Sequence, residues 1–279
     1  MGQGEEETRS PPDVEIQERG EIYFLYRPKV EKEEAHGSDD VQRMYIILSP
    51  HDSIQHQEAT TQEVKHDPLL RLIVMGRKRL PDPTQKGTPF WGFVELVTTK
   101  IQDVKNALKG EEYDTKTRGH RHKPPARALG EGVYRILKHH IRPEDKKKMH
   151  THLIYKLQFP AEDDDQNQPQ EALNVEREAS FLIQIKNPII NRDVKRKQAT
   201  FPAHLQAQFG KLRFHAADPP EFLNYEGCEF LLISASDDIQ QELGLELKLP
   251  NELDDSCSHL LNTFGELAST DALFRGIWV

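Results

Sequence analysis

The feature that most constrains this chain is a set of nine short runs rich in Ile, Val, Leu, Tyr and Phe, several of them closely followed by Pro or Gly. Runs of this length and composition are typical of β-strands. Because few helical stretches separate them, the pattern predicts a mainly β fold, a sandwich or barrel, and not an alternating α/β fold. The runs cover residues 21–27, 41–48, 69–75, 90–97, 132–137, 153–159, 180–185, 211–214 and 229–234.

Two stretches predict short helices whose apolar faces pack on the core. The first follows Thr99, whose hydroxyl is placed to cap a helix, with Gln102 completing a capping box and Gly110 ending the helix. The second lies near the C-terminus, where apolar residues recur at helical spacing. They are Leu253, Leu260, Leu261, Phe264 and Leu267.

An internal repeat is indicated by a shift of 110 residues, which aligns Gly20-Glu21 with Gly130-Glu131 and Leu72-Ile73 with Leu182-Ile183. The order strand, charged loop, strand, polar loop, strand then coincides in both halves, as a duplicated β unit would produce. Chance similarity remains the alternative. The chain is accordingly divided into an acidic, Pro-containing disordered leader (1–19), a first β unit with a terminal helix (20–110), a second β unit with a basic loop and an acidic loop (111–236), and a helical C-terminal segment (237–279).

Cysteine usage and hydropathy predict a soluble protein of the cytoplasm or nucleus. The two cysteines, Cys228 and Cys257, are too few for a disulfide scaffold and lack the C-x-x-C spacing of a zinc or redox site. The N-terminus lacks the basic and then apolar order of a signal peptide. The longest apolar runs are far below the roughly 20 residues that span a bilayer. The sequence does not indicate an oligomeric state.

Positive charge is concentrated between residues 115 and 150, which hold eleven Lys or Arg against three acids, in a chain of net charge -9. Such asymmetry points to an anionic partner. The centre of this stretch, residues 115–127, contains Gly119, Pro124 and Pro125, which predict an extended loop.

Two interpretations of the basic loop remain open. In the first, it holds phosphate groups of a nucleic acid, a nucleotide or a phosphorylated protein. The candidate anion-binding residues are Lys116, Arg118, Arg121, Lys123, Arg127, Arg135 and Lys138. In the second, these charges pair with acidic loops of the same chain, notably Asp163, Asp164 and Asp165.

Two further segments bear on nucleic-acid binding. A second basic cluster, Arg77-Lys78-Arg79, follows a predicted strand, and the sequence does not show whether it lies beside the first. The run Phe90-Trp91-Gly92-Phe93 supplies aromatic rings suited to base stacking, but its flanking residues favour a buried strand. No RRM, KH, zinc-finger or helix-turn-helix signature accompanies them.

Histidine pairs supply the alternative hypothesis, a metal-dependent enzyme. The H-x-H pairs His120/His122 and His150/His152 would each present two imidazoles on one face of a strand and so serve as ligands of a divalent metal. Glu131 is the nearest carboxylate in the sequence. The spacing resembles that of a cupin only in part, because no Glu follows an H-x-H pair within a few residues.

Searches for catalytic motifs find no nucleophile elbow, P-loop, H-E-x-x-H or dinucleotide fingerprint. We therefore predict no catalytic residue and no cofactor. The preferred function is a non-enzymatic binding protein that docks an anionic partner on the basic loop.

The chain also resembles an uncharacterised family of plant proteins with shorter bacterial relatives, some of which carry the label BTB/POZ domain-containing protein. The resemblance covers residues 20–238 and rests on segments such as RGEIYFLYRPKV, DDVQRMYIILSP, TRGHRHKPPARALGEGVYRI and NYEGCEFLLISAS. It implies no reaction and therefore no catalytic residue.

Overall fold

The computed structural model describes residues 13–51, 69–140, 149–160, 167–190, 197–247, 259–265 and 269–279. The strands are β1 (Asp13–Pro28), β2 (Val41–Pro50), β3 (Leu70–Met75), β4 (Pro89–Thr98), β5 (Glu111–Thr115), β6 (Gly119–Lys123), β7 (Arg127–His140), β8 (Met149–Phe159), β9 (Glu178–Lys186), β10 (Phe214–Ala216) and β11 (Glu229–Ser236). The helices are α1 (Ile101–Leu108), α2 (Gln168–Ala172), α3 (Ala203–Phe209), α4 (Ile239–Leu243), α5 (His259–Phe264) and α6 (Asp271–Phe274), with 3-10 turns at Ser38–Asp40 and Pro220–Asn224.

The main sheet closes into an eight-stranded antiparallel barrel. Its strand order is β9-β11-β4-β3-β2-β1-β7-β8, and pairing of β8 with β9 closes the barrel. The short strand β10 pairs with the C-terminal end of β9. Closure removes the unpaired edges that an open sheet of this size would expose. The mainly β prediction is confirmed, and of its two architectures the barrel is the one observed.

The two halves of the barrel are related by a shared pattern of pairing. One meander runs β1-β2-β3-β4 and the other β7-β8-β9-β11, and the two join through β1 with β7 and β4 with β11. In the first junction Phe24 pairs with Gly130 and Gly20 with Tyr134, a register that is symmetric under the shift of 110 residues. This is the arrangement expected of a duplicated unit, and the duplication itself stays a prediction.

Strand alternation divides the core into a lumen and an outer layer. Side chains such as Ile22, Phe24 and Leu153 fill the lumen, because alternate residues of a strand face opposite sides. On the outside, α1 and α5 cover the face of β1 to β3 that carries Tyr23 and Leu25. Helix α4 packs on a third cluster over β7 and β8. The described helices therefore cover the outer face only in part.

Eight of the nine predicted strands are present, the one predicted at 211–214 is displaced to Phe214–Ala216, and three further local predictions are wrong. Strand β1 begins at Asp13, inside the predicted leader, because β7 pairs with it as far as His140. The basic loop contains a β-hairpin, β5 to β6, since Gly119 adopts a φ of 64° and so permits a three-residue turn. Helix α1 starts after Lys100 without a side-chain cap; its buried residues are Val104 and Leu108, from the predicted face.

Of the C-terminal helical residues, Leu260 and Phe264 are buried on α5, whereas Leu253 and Leu267 lie outside the described residues. Across the part of the chain that the structure describes, no helix has the length and apolar character needed to cross a membrane.

Candidate functional site

Strand β4 presents two aromatic rings on the outside of the barrel. Phe90 is buried, while Trp91 and Phe93 are half-exposed on the opposite face. A side chain at Gly92 would collide with the ring of Phe230, its partner on β11, so glycine lets that ring close the lumen. The sequence-based expectation that the whole aromatic run is buried is therefore wrong for Trp91 and Phe93, because alternate residues face opposite sides.

A row of side chains crosses four strands beside these rings. Phe93 on β4 is the register partner of Glu229 on β11. Glu229 forms an ion pair with Lys186 on β9, and Lys186 is the register partner of Phe214 on β10. The ammonium of Lys186 also lies 5.6 Å from the centroid of the Trp91 ring. Aromatic and charged groups thus alternate across one face of the sheet.

The aromatic rings lie close to one another. The centroids of Trp91 and Phe93 are 6.4 Å apart with an angle of 22° between the ring planes. The ring of Phe214 lies 6.1 Å from that of Trp91, tilted by 40°. Among the described residues, neither Trp91 nor Phe93 belongs to any of the three apolar clusters of the core.

Two adjoining cavities lie over this face and share part of their lining. The first, of about 490 Å³, contains the aromatic rings, and the second, of about 520 Å³, shares Gly76 and Phe93 with it. We call the combined surface the aromatic groove. Its lining includes Arg77, Phe90, Trp91, Lys186 and Glu229 in the first cavity and Arg43, Lys78, Glu95 and Lys197 in the second.

Cations outnumber carboxylates along the aromatic groove, five against two. The exposed Arg77 lies with its guanidinium 5.2 Å from the centroid of Phe90 and has no ion pair within the described ranges. Arg43 has only a long contact of 3.5 Å with exposed Glu95, which holds it weakly. Beside the groove, Arg213 lies 5.4 Å from the centroid of Phe214. Positive charge and aromatic rings therefore occur together on an outer, accessible surface.

The cations of the predicted basic loop have a different environment, because carboxylates of the same chain contact several of them. Arg121 pairs with Glu31 at 3.0 Å, and Lys123 pairs with Glu111 at 2.6 Å. The guanidinium of Arg127 donates to a backbone carbonyl, that of Glu33. Lys116 and Arg118 lie in the exposed hairpin turn and have no ion pair among the described residues. The partners proposed from sequence, Asp163 to Asp165, lie outside the described residues.

The seven predicted anion-binding residues do not form one surface, which corrects the single site proposed from sequence. Arg127 and Lys138 lie at opposite ends of β7, roughly 35 Å apart at about 3.3 Å per residue. Lys138 pairs with Asp218 at 2.9 Å. Arg135 lies opposite Arg19 on β1, and burial, together with the charge of Arg19, lowers the pKa of Arg135.

The structure also separates the two histidine pairs. His120 and His122 lie on the hairpin, beside loop residues that follow Pro28, whereas His150 and His152 lie on β8, at the Asp13 end of β1. The length of β1 places the pairs roughly 40 Å apart at about 3.3 Å per residue. No common metal site therefore contains all four histidines.

Each histidine pair has structural partners of its own. His120 contacts Glu112 at 3.4 Å and Asp114 at 3.3 Å, both exposed. His152 is buried under α4 with its Nδ1 3.0 Å from the hydroxyl of Ser180. Burial, with the nearby His139 and His150, lowers the pKa of His152 to about 3. Among the described residues, no group of three or more His, Cys, Asp or Glu is arranged to hold a metal ion.

Glu131, the carboxylate proposed to complete a metal site, binds the start of α5 instead. Its two oxygens accept the backbone N–H groups of His259 at 2.7 Å and Leu260 at 3.2 Å. A carboxylate at this position satisfies donors that a helix leaves unpaired at its N-terminus. The equivalent residue in the first half, Glu21, lies 3.5 Å from the ring of His259.

A further cavity, of about 540 Å³, opens at the barrel end where β2 finishes and β3 starts. Its floor is the buried Arg71, which donates to both oxygens of Glu18 at 2.6 and 2.8 Å and to Asn224 at 2.8 Å. Although burial favours the neutral form, the hydrogen bonds that Arg71 donates to Glu18 raise the pKa of Arg71. Tyr134 donates to Glu18 as well. Because the guanidinium of Arg71 already donates to Glu18 and Asn224, we consider this cavity a weaker candidate for ligand binding than the aromatic groove.

Comparisons of the chain with protein-family models, with curated proteins and with solved structures found no match. Functional inference therefore depends on the geometry alone.

The two segments considered from sequence, 77–79 and 90–93, contain five of the residues that line the groove, among them Arg77 and Trp91, but the sequence did not show that the segments lie together. Lys186 and Glu229 were missed because they reach the groove only through pairing of β9 with β11 and of β11 with β4. An alternation rule applied to residues 90–93 would have placed Trp91 and Phe93 outside.

Proposed function

We propose that this protein is a non-enzymatic binding protein for an anionic partner, single-stranded nucleic acid, and that the aromatic groove is the binding surface. The observation that supports this most is the half-exposed Trp91, flanked by Phe93 and Phe214 and bordered by Arg77 and Lys186. Bases stack on such rings, while cations beside them neutralise the backbone phosphates.

Single strands fit this surface better than duplexes do. Stacking requires the face of a base, which a duplex hides between neighbouring base pairs, whereas a single strand exposes it. The groove crosses β2, β3, β4, β11 and β9, so several nucleotides can contact it. Phosphate contacts by Arg77 and Lys78 would then hold the backbone without reading sequence.

The groove differs from the basic loop in placing a cation without an ion pair among the described residues, Arg77, beside aromatic rings; its Lys186 and Lys197 pair with Glu229 and Glu226. In the hairpin a bound phosphate must displace Glu31 from Arg121 or Glu111 from Lys123. In the groove Arg77 contacts a ring, which leaves its N–H groups directed at other acceptors. We therefore assign the main binding role to the groove and at most a supporting contact to Lys116 and Arg118. A setting in the cytoplasm or nucleus belongs to this proposal, because nucleic acids occur there.

The test is a fluorescence-anisotropy titration of labelled 12-nucleotide single-stranded RNA and DNA and of the matching duplexes, at about 50 mM salt. Because the net charge of the protein is -9, we expect micromolar affinity that falls as salt rises. Trp91→Ala should weaken single-strand binding at least tenfold. Tyr113→Ala, which removes a partly exposed ring of the hairpin, is the matched control and should have little effect.

A triple variant of the hairpin decides between the two surfaces. Replacement of Arg118, Arg121 and Arg127 by Ala should leave the affinity within about twofold of wild type. If this variant loses binding while Trp91→Ala keeps it, the hairpin is the site and the groove is not. If no single strand binds, but a nucleotide or a phosphopeptide does, single-stranded nucleic acid is not the partner.

A further inference from the structure

One wall of the aromatic groove is formed by two hydrogen-bonding side chains, Glu229 and Lys186, beside the ring of Trp91. Glu229 is almost fully buried, and one of its carboxylate oxygens accepts a hydrogen bond from the ammonium of Lys186. Its other oxygen has no hydrogen-bond partner within the part of the chain that the structure describes. Both side chains line the same cavity as Trp91. The wall therefore presents two carboxylate acceptors and, next to them, one donor.

Two acceptors followed by a donor are complementary to the Watson–Crick edge of one nucleobase, guanine. Guanine carries an amino group and a ring N–H side by side on its Watson–Crick edge, followed by the acceptor O6. A carboxylate accepts two parallel hydrogen bonds, and an ammonium donates only. Adenine and cytosine each offer one amino group there, followed by an acceptor, and uracil offers one N–H between two acceptors. Only guanine pairs two donors with Glu229 and its acceptor with Lys186.

The aromatic rings are placed to hold the base against this wall. Phe93 is the register partner of Glu229, and its ring is nearly parallel to that of Trp91, at 22°. Their centroids are 6.4 Å apart. Because the ammonium of Lys186 lies 5.6 Å from the centroid of the Trp91 ring and pairs with Glu229, a base stacked on Trp91 would have both polar groups beside it.

We propose that the aromatic groove recognises an unpaired guanine, which stacks on Trp91 and hydrogen-bonds through its Watson–Crick edge to Glu229 and Lys186. This inference rests on the proposed binding of single strands and adds base specificity to it. Arg77, on the far side of the same cavity, then contacts a neighbouring phosphate.

The test compares decamers of uridine that carry one central guanosine, inosine, adenosine or 1-methylguanosine, measured by competition anisotropy. Inosine lacks the amino group, and 1-methylguanosine lacks the ring N–H. Wild-type protein should bind the guanosine decamer about tenfold more tightly than each of the others, as expected for a bidentate pair. This comparison needs no variant and so does not depend on how a mutant folds.

The variant Glu229→Gln keeps the shape of the side chain but replaces one acceptor with a donor. It should remove the preference for guanosine, so that the variant binds the guanosine and inosine decamers with equal affinity. Thermal unfolding of the variant checks that the barrel is intact. Equal binding of all four decamers by wild-type protein would overturn the guanine inference and leave single-strand binding standing. Failure of every decamer to bind would overturn both.

Discussion

The hairpin and the aromatic groove both carry positive charge, but different groups contact the cations of the two regions. In the hairpin, Arg121 and Lys123 face Glu31 and Glu111, so the charges hold this segment to itself and to its neighbours. In the groove, Arg77 lies beside the ring of Phe90 and has no ion pair among the described residues, whereas Lys186 lies beside Trp91 and pairs with Glu229. The comparison teaches that the number of cations in a segment is a poor guide to ligand binding, because the partners of those cations decide what they can hold.

The largest expected effect concerns Arg27, which attaches the hairpin to the barrel. Its buried guanidinium donates to the carbonyls of Ala107, Lys109 and Pro124 and to the hydroxyl of Tyr45. Arg27→Met leaves these acceptors unpaired, so we expect the free energy of unfolding to fall by about 3 kcal/mol. Urea denaturation measures it.

Nucleic-acid affinity of the folded Arg27→Met protein should be unchanged if the hairpin has a structural role. A variant that stays as stable as wild type but loses RNA binding would reverse the roles assigned to the two regions.

The next expected effect concerns how stability depends on pH, and it compares buried His152 with the histidines of the hairpin. The pKa of His152 is lowered from 6.5 to about 3, chiefly by burial. Below pH 6.5 the unfolded chain therefore binds a proton that the folded protein does not, and stability falls as the pH drops toward 3. His152→Gln should remove this dependence, so that between pH 6.5 and 4.5 the variant loses about 2 kcal/mol less than wild type.

Urea titrations at the two pH values measure this difference, and His120→Gln is the exposed control. An equal response of both variants would show that His152 is not the group that confers acid sensitivity.

The smallest effect compares two exposed arginines directly. Arg77→Ala should weaken single-strand binding about tenfold, or about 1.4 kcal/mol, and lower the slope of log affinity against log salt by about one. Arg118→Ala, in the hairpin turn, should change the affinity less than twofold. Anisotropy titrations at several salt concentrations provide both quantities. A larger loss for Arg118→Ala would favour the hairpin as the binding surface.

Local patterns predicted the strands well, because β-branched and aromatic runs bounded by turn residues identify them without tertiary information. They did not predict the hairpin at 111–123, since its strands are polar and its turn depends on the left-handed conformation of Gly119. The start of β1 at Asp13 depends on pairing with β7, more than a hundred residues away.

The candidate site was harder to predict than the fold. Phe93, Glu229, Lys186 and Phe214 meet only because three strand pairings bring them into one row. Sequence proximity favoured the basic loop, where the cations are neighbours in the chain. It could not show that Glu31 lies beside Arg121, although these residues are 3.0 Å apart in the fold.

The most direct test of the central claim follows the indole N–H signals of the two tryptophans, Trp91 and Trp278, by NMR during titration with single-stranded RNA. Trp91 lies in the groove, and Trp278 packs on Tyr26 at 5.4 Å. We predict that the Trp91 signal shifts, while those of Trp278 and of the backbone amides of Lys116 and Arg118 stay in place. Shifts confined to the hairpin amides, with the Trp91 signal unmoved, would contradict the account.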